Sequence, residues 1–169
     1  MSVIKDLSLS PNYQVLPFRK SHMESINIPW FEAQYIENLA VDIIGMSLPQ
    51  DKDNSIQSND LSYTYIYKGE VLVCFGVNIL WRAVGELWIM PSDSDDLIML
   101  SVLSKISQII DIIIEEYTLN RVQIQVRVAN ERTLCFINSL GFEKEGLMKQ
   151  FGPEGGDYFM LSRTINREE

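Results

Sequence analysis

Histidine occurs once in the 169 residues, at His22, and cysteine twice, at Cys74 and Cys135. A structural zinc site needs four nitrogen and sulfur ligands brought together, and this inventory does not supply them, so no metal is expected. Nor can a Ser-His-Asp relay be argued from one remote histidine. Both cysteines sit in apolar runs, VLVCFGV and TLCFIN. They read as buried free thiols rather than a disulfide framework, which suits a reducing, cytoplasmic setting. Basic side chains are also scarce, with 14 Lys and Arg against 23 Asp and Glu and a formal net charge of −9. The densest basic cluster is Arg19-Lys20, too little to neutralise a phosphate backbone, so nucleic acid is excluded as a partner. The opening MSVIKDLSLSPNY has no apolar core of signal-peptide length. The most apolar run, Leu97 to Ile114, is interrupted by Ser, Lys, Gln and Asp. It reads as a buried helix, and no membrane association is expected.

What the chain does have is an ordinary globular composition, 46% hydrophobic and 22% charged. Residues 1–12 form a flexible lead-in and residues 13–169 a single domain by this reading. YQVLPF has strand character up to Pro17. SHMESI can open a short helix, with Ser21 as N-cap and Glu24 at capping-box spacing, which leaves His22 as a surface side chain. A second helix is expected from Pro29, where Phe31, Tyr35, Leu39 and Ile43 recur at near-helical spacing. Pro49 to Asp60 is polar and turn-rich and reads as a loop. SYTYIYKGEVLVCFGVNIL splits at Lys68-Gly69-Glu70 into a hairpin. WRAVG makes another turn, and ELWIM is the third strand of the meander.

Leu97 to Tyr117 reads as a helix that is apolar around most of its circumference, with one polar stripe through Ser104, Gln108, Asp111 and Glu115. RVQIQVRV alternates strictly, as a strand does. Asn130 can cap a helix that Gly141 closes. FEKEGLMKQF and GDYFMLSRTI are two strand-like runs joined through GPEG. An antiparallel meander followed by a βαβ unit predicts an α/β domain: a central mixed β-sheet with helices on both faces.

That order, with ANERTLCFINSLGFEKEGLM, resembles the GCN5-related N-acetyltransferase (GNAT) superfamily. LWRAVGELWIM and EGLMKQFGPEGGDYFML carry a closer likeness, to acetyltransferase-like proteins encoded by tailed bacteriophages. The likeness spans roughly Tyr13 to Arg163 and is most specific in the C-terminal third. The resemblance implies a GNAT-like fold and acetyl-CoA as the cofactor, bound where two parallel strands splay. Backbone amides of Trp88, Ile89 and Met90 would then hold the thioester. The diphosphate would rest on the next loop and helix start, and a glutamate on the strand would deprotonate an amine acceptor.

On this chain Glu86 matches that glutamate, the alternative being an ordinary polar residue on a half-buried strand. Asn130 matches a family asparagine that reaches toward the pantetheine, and it serves equally as a helix N-cap. Arg127 and Arg132 flank it and are the candidates for a phosphate contact. Two positions depart from the pattern. The phosphate loop is Pro91-Ser92-Asp93-Ser94-Asp95-Asp96, with no glycine and no basic residue. Its Asp and Ser residues fit helix caps. The position of the tyrosine that protonates the leaving thiolate is taken by Ile137, which leaves Tyr158 as the substitute acid or as a packed hairpin residue. Trp81, Trp88, Phe151 and Tyr158 otherwise read as core or hairpin packing. Two functions follow from these residues. One is an acyl-CoA-dependent N-acetyltransferase with an amine acceptor. The other is a catalytically silent member of the fold that serves as a protein-binding or virion component, with IPWFEAQY as a candidate contact.

Overall fold

The computed structural model describes residues 12–27, 61–152 and 155–166. The helix expected from Pro29, the loop Pro49–Asp60, the IPWFEAQY stretch and the centre of the GPEG turn lie outside the described residues. Seven strands form one mixed sheet in the order β1-β2-β3-β4-β5-β7-β6. They are β1 Tyr13–Pro17, β2 Ser62–Tyr67, β3 Glu70–Trp81, β4 Val84–Pro91, β5 Arg121–Arg127, β6 Glu143–Met148 and β7 Tyr158–Thr164. Three helices are described: α1 Lys20–Ser25, α2 Asp96–Glu116 and α3 Glu131–Ser139. The fold divides into two compact units, Met1–Asn78 with Ile89–Met99, and Ile79–Trp88 with Leu100–Glu169.

In the first unit β1 and β2 pair antiparallel from Tyr13↔Tyr67 to Pro17↔Tyr63. Pro17 is the last residue of an edge strand, where a missing N–H costs no ladder bond. The β2–β3 turn is Lys68-Gly69, with φ of 48° and 83°. Two successive left-handed residues make the tight turn whose twist matches the flanking strands. Tyr63, Tyr65, Val73 and Phe75 are buried in this unit.

Helix α1 starts two residues earlier than the sequence suggests. Its N-cap is Arg19, whose N–H donates to Nδ1 of His22 at 3.2 Å. The histidine thus does the work expected of Glu24 in the Ser21 reading, because its ring can reach back over the first turn. Nδ1 also lies 2.7 Å from Oγ1 of buried Thr64. Burial, and then the Arg19 charge, push His22 below its ordinary pKa. Protonating Nδ1 would abolish its acceptor role, so His22 is a partly buried structural acceptor and not a surface side chain.

Helix α2, which lies in the second unit from Leu100 on, has the length and hydropathy, 2.0 over its most apolar window, that a membrane crossing requires. Here Ile106, Ile109, Ile110 and Ile113 are buried at helical spacing, on the face turned to the core. Each such side chain contributes about 1.5–3 kcal/mol by leaving water. The helix ends at Thr118, φ 48°. Thr118 N–H donates to Glu115 O and Leu119 N–H to Ile114 O, the two bonds of a Schellman stop. Asn120 N–H then donates to Ala83 O at 2.8 Å, and Arg121 N–H to the same oxygen at 3.2 Å, which sets β5 beside β4.

Helix α3 is capped as its sequence suggests. Asn130 Oδ1 accepts from Thr133 N–H at 3.1 Å. At the other end Gly141, φ 84°, donates to Asn138 O and Phe142 N–H donates to Ile137 O. Leu140-Gly141-Phe142 is therefore a second Schellman stop, with both Ile137 and Phe142 buried. Strand β7 pairs antiparallel with β5 from Tyr158↔Arg127 to Thr164↔Arg121. On its other side β7 pairs with β6, with a register shift between Lys144 and Gly146.

Two expectations about single side chains fail. Cys74 is buried but Cys135 is exposed, because the helical turn of α3 puts it on the solvent side of Thr133 and Ile137. Trp81 is not a core residue, at 64% exposed, whereas Phe151, 47% exposed, packs edge-on against Tyr158 as a hairpin residue. Trp81 ends β3 at the turn, where the alternation of a strand gives way to three exposed apolar residues, Ile79-Leu80-Trp81.

Candidate functional site

Strands β4 and β5 run parallel and are registered at three pairs, Val84↔Arg121, Gly85↔Val122 and Glu86↔Gln123. Strand β4 continues to Pro91 and β5 to Arg127, yet among the described residues no further pair joins them. The ladder ends at Glu86, so this residue stands at a fork between parallel strands.

The face on which Glu86 lies follows from the alternation. Val122, Ile124 and Val126 are buried, while Arg121, Gln123, Gln125 and Arg127 are half-buried. Asp111 on α2 pairs with Arg163, the register partner of Val122. That fixes α2 on the face of Val122 and leaves the polar residues of β5 on the other. Glu86, paired with Gln123, shares the polar face, and Gln125 reaches back from two residues further along β5. Its Nε2 donates to Glu86 Oε1 at 2.7 Å. The fork therefore holds a half-buried carboxylate with one oxygen fixed by an amide.

The same face continues across β7 and β6 as a connected polar network. Arg121 donates through both terminal nitrogens to Glu145, 2.7 Å each. Its Nε donates to Gln123 Oε1 at 2.9 Å. Ser162 Oγ donates to Glu145 Oε1 at 2.6 Å. The bonds from Arg121 and then Ser162 pull the Glu145 carboxyl down to about 2. With Arg121 neutralised and Gln123 turned toward it, Glu86 and Gln125 form a separate pair at the fork. The alternation of RVQIQVR was the available signal for this face. The partners on β6 and β7 carried none, since pairing over about 20 to 40 positions leaves no local pattern.

The loop after β4 belongs to the first unit and has a different character. Ser92 N–H donates to Leu72 O and Asp93 N–H to Asn27 O, both at 2.7 Å. Asp95 is the N-cap of α2. Its Oδ1 accepts from Leu97 N–H at 2.8 Å, while its backbone carbonyl accepts from Met99 N–H at 3.0 Å. Ser92 and Ser94 bond to each other through their hydroxyls. Asp93, Asp95 and Asp96 are all exposed. The cap expected of PSDSDD is thus present at Asp95, and the N–H groups of Ser92, Asp93, Leu97 and Met99 are taken by the protein's own oxygens.

The other candidate residues sit as follows. Trp88, Ile89 and Met90 lie on β4 beyond the end of the parallel ladder. Asn130 caps α3, and Arg132 is half-buried in its first turn. Tyr158 is buried, with its ring edge-on to Phe151 at 5.4 Å between centroids. Ile137 is fully buried on α3. Among the described residues no cluster of His, Cys, Asp and Glu could hold a metal ion.

No protein-family model matches the chain, and no curated protein does. Solved structures do. Ard1 from Thermoplasma volcanium is 13% identical, with 92% of this chain and 99% of that one covered at a TM-score of 0.60. A GNAT-family acetyltransferase from Bacillus anthracis is 11% identical, with 92% and 96% covered at a TM-score of 0.64. The microcin C7 self-immunity acetyltransferase MccE, in complex with acetyl-CoA and AMP, is 17% identical, with 92% and 94% covered at a TM-score of 0.60. The seven-stranded mixed sheet with its helices is the fold of the GNAT acetyltransferases.

Proposed function

We propose that this protein is an N-acyltransferase that moves an acyl group from a thioester to an amine, with Glu86 as the base. The observation that carries the reading is the fork itself. A half-buried carboxylate stands at the last registered pair of two parallel strands, oriented by Gln125. Beyond that pair Leu87 and Trp88 of β4 have no registered partner on β5, and such an unladdered strand edge suits the amide groups of a pantetheine arm. The thioester supplies an activated carbonyl carbon. The amine nitrogen forms a bond to that carbon, Glu86 takes the amine proton on Oε2, and the C–S bond breaks to release a thiolate. With Ile137 at the helix position where a tyrosine would donate, the thiolate takes its proton from water. A buried Tyr158 suits packing under the hairpin better than proton transfer to a mobile ligand.

General-base catalysis by one positioned side chain is worth roughly 10²–10⁴-fold in rate. The test is acyl transfer from acetyl-CoA and from S-acetylpantetheine to a panel of small and peptide amines. Turnover that falls at least 100-fold in Glu86→Gln, with the fold retained, supports the reading. Turnover unchanged in that variant would sink it.

A second reading is favoured by the closed α2 start and by Ile137: a silent scaffold that binds a protein partner, a virion component among the candidates. It is the reading left if neither thioester binds and no amine is acylated. In either case the free thiols of Cys74 and Cys135 suit a reducing cytoplasm.

A further inference from the structure

The start of α2 is where a nucleotide diphosphate would be expected to rest, because a helix N-terminus presents unpaired N–H groups and partial positive charge to an anion. The residues here do not fit that role. The Asp95 carboxylate already occupies Leu97 N–H, and Leu72 and Asn27 carbonyls take the N–H groups of Ser92 and Asp93. Asp93, Asp95 and Asp96 are exposed around the same turn. A diphosphate entering would meet like charge and donors already in use.

We propose that Asp95 is the resident anion of this helix start and excludes a diphosphate from it. The thioester donor is then recognised by its acyl and pantetheine portions, and the nucleotide contributes nothing to affinity. The donor class is a pantetheine or cysteamine thioester, whether free or attached to a larger carrier. This rests on the acyl-transfer reading for the identity of the donor; the exclusion of diphosphate stands on the loop alone. Asp95 becomes a specificity residue that acts through the charge it holds at the helix start, not by touching a ligand.

The test is calorimetric titration of the full chain with CoA and with pantetheine, at 50 and 150 mM salt. Two variants accompany the wild type. Asp95→Asn keeps an acceptor oxygen for Leu97 N–H and removes the charge. A triple variant adds Asp93→Asn and Asp96→Asn. The proposal expects wild type to bind CoA no more than threefold tighter than pantetheine. It expects the triple variant to bind CoA at least tenfold tighter than wild type does, with pantetheine unchanged and the gain reduced by salt. Wild type binding CoA tenfold or more tighter than pantetheine overturns it. So does a triple variant that gains nothing for CoA. If wild type binds neither ligand but Asp95→Asn gains CoA, the exclusion by Asp95 stands and the acyl-transfer reading falls.

Discussion

Replacing Gln125 by Leu removes the amide that donates to Glu86, and its cost can be worked from the contact. The Nε2–Oε1 separation of 2.7 Å is that of a charge-assisted bond. Hydrogen bonds to charged groups contribute about 1.5–3 kcal/mol when well buried. Both side chains are half-buried, so water can replace the amide on the open side, and the net falls to about 1 kcal/mol. Glu86→Gln keeps an acceptor but loses the charge, which retains roughly half of that. A double-mutant cycle between Gln125→Leu and Glu86→Leu should therefore return a coupling of about 1 kcal/mol. For a chain of this size each kcal/mol moves Tm by about 2–4 °C. Urea unfolding followed by tryptophan fluorescence gives the four free energies. In the acylation assay Gln125→Leu should lower kcat more than it raises KM, because it disorders a base without touching substrate. Strict additivity, with coupling below about 0.3 kcal/mol, would mean that the pair does not exist in solution and that Glu86 is an ordinary strand residue.

Three further outcomes are expected. Thr118 stops α2 at φ 48°, a conformation that a β-branched residue adopts at a cost of about 1 kcal/mol. Thr118→Gly should therefore raise the urea midpoint, with a lowered midpoint refuting the assignment of strain. Glu145 is held down to about 2 by Arg121 and Ser162. Its stabilisation is present above the ordinary carboxylate range near 4.5 and is lost as pH falls toward 2. With side chains 27% and 42% exposed, the Arg121–Glu145 pair is worth at most about 1 kcal/mol. Glu145→Gln should flatten the fall in Tm in that window and leave the slope above pH 5 unchanged. His22 lies below its ordinary value near 6.5 because it is buried as an acceptor. The stability it adds is present above that value and lost as pH drops below it. His22→Gln should remove this step, and a wild-type Tm flat from pH 7 to 5 would contradict the acceptor role.

Much of the second unit could be read from the sequence because its signals are local. Asn130 and Gly141 bracket α3 as caps, and RVQIQVR announces a strand with one polar face. The meander was legible at Lys68-Gly69, where the turn demands two left-handed residues. What escaped depends on contacts between distant positions. His22 looks like a surface residue until Thr64, 42 positions later, meets its ring. The Gln125–Glu86 pair spans 39 positions and needs the parallel register to become visible. Cys135 and Trp81 show the reverse failure: their neighbours are apolar in sequence, but helix phase and strand end turn them outward. The aspartates of PSDSDD were legible as caps. That one of them occupies the donor an anion would need follows only from the Asp95–Leu97 bond.

Two proposals can be tested together: that the strand edge after Glu86 takes a thioester arm, and that the α2 start refuses the diphosphate. Amide chemical-shift mapping with CoA tests both in a single titration. Shifts are expected at Leu87 and Trp88 on β4 and at Ile124 to Arg127 on β5, with Leu97 unmoved. Shifts centred on Ser94 to Ile98, with the strands silent, would contradict both.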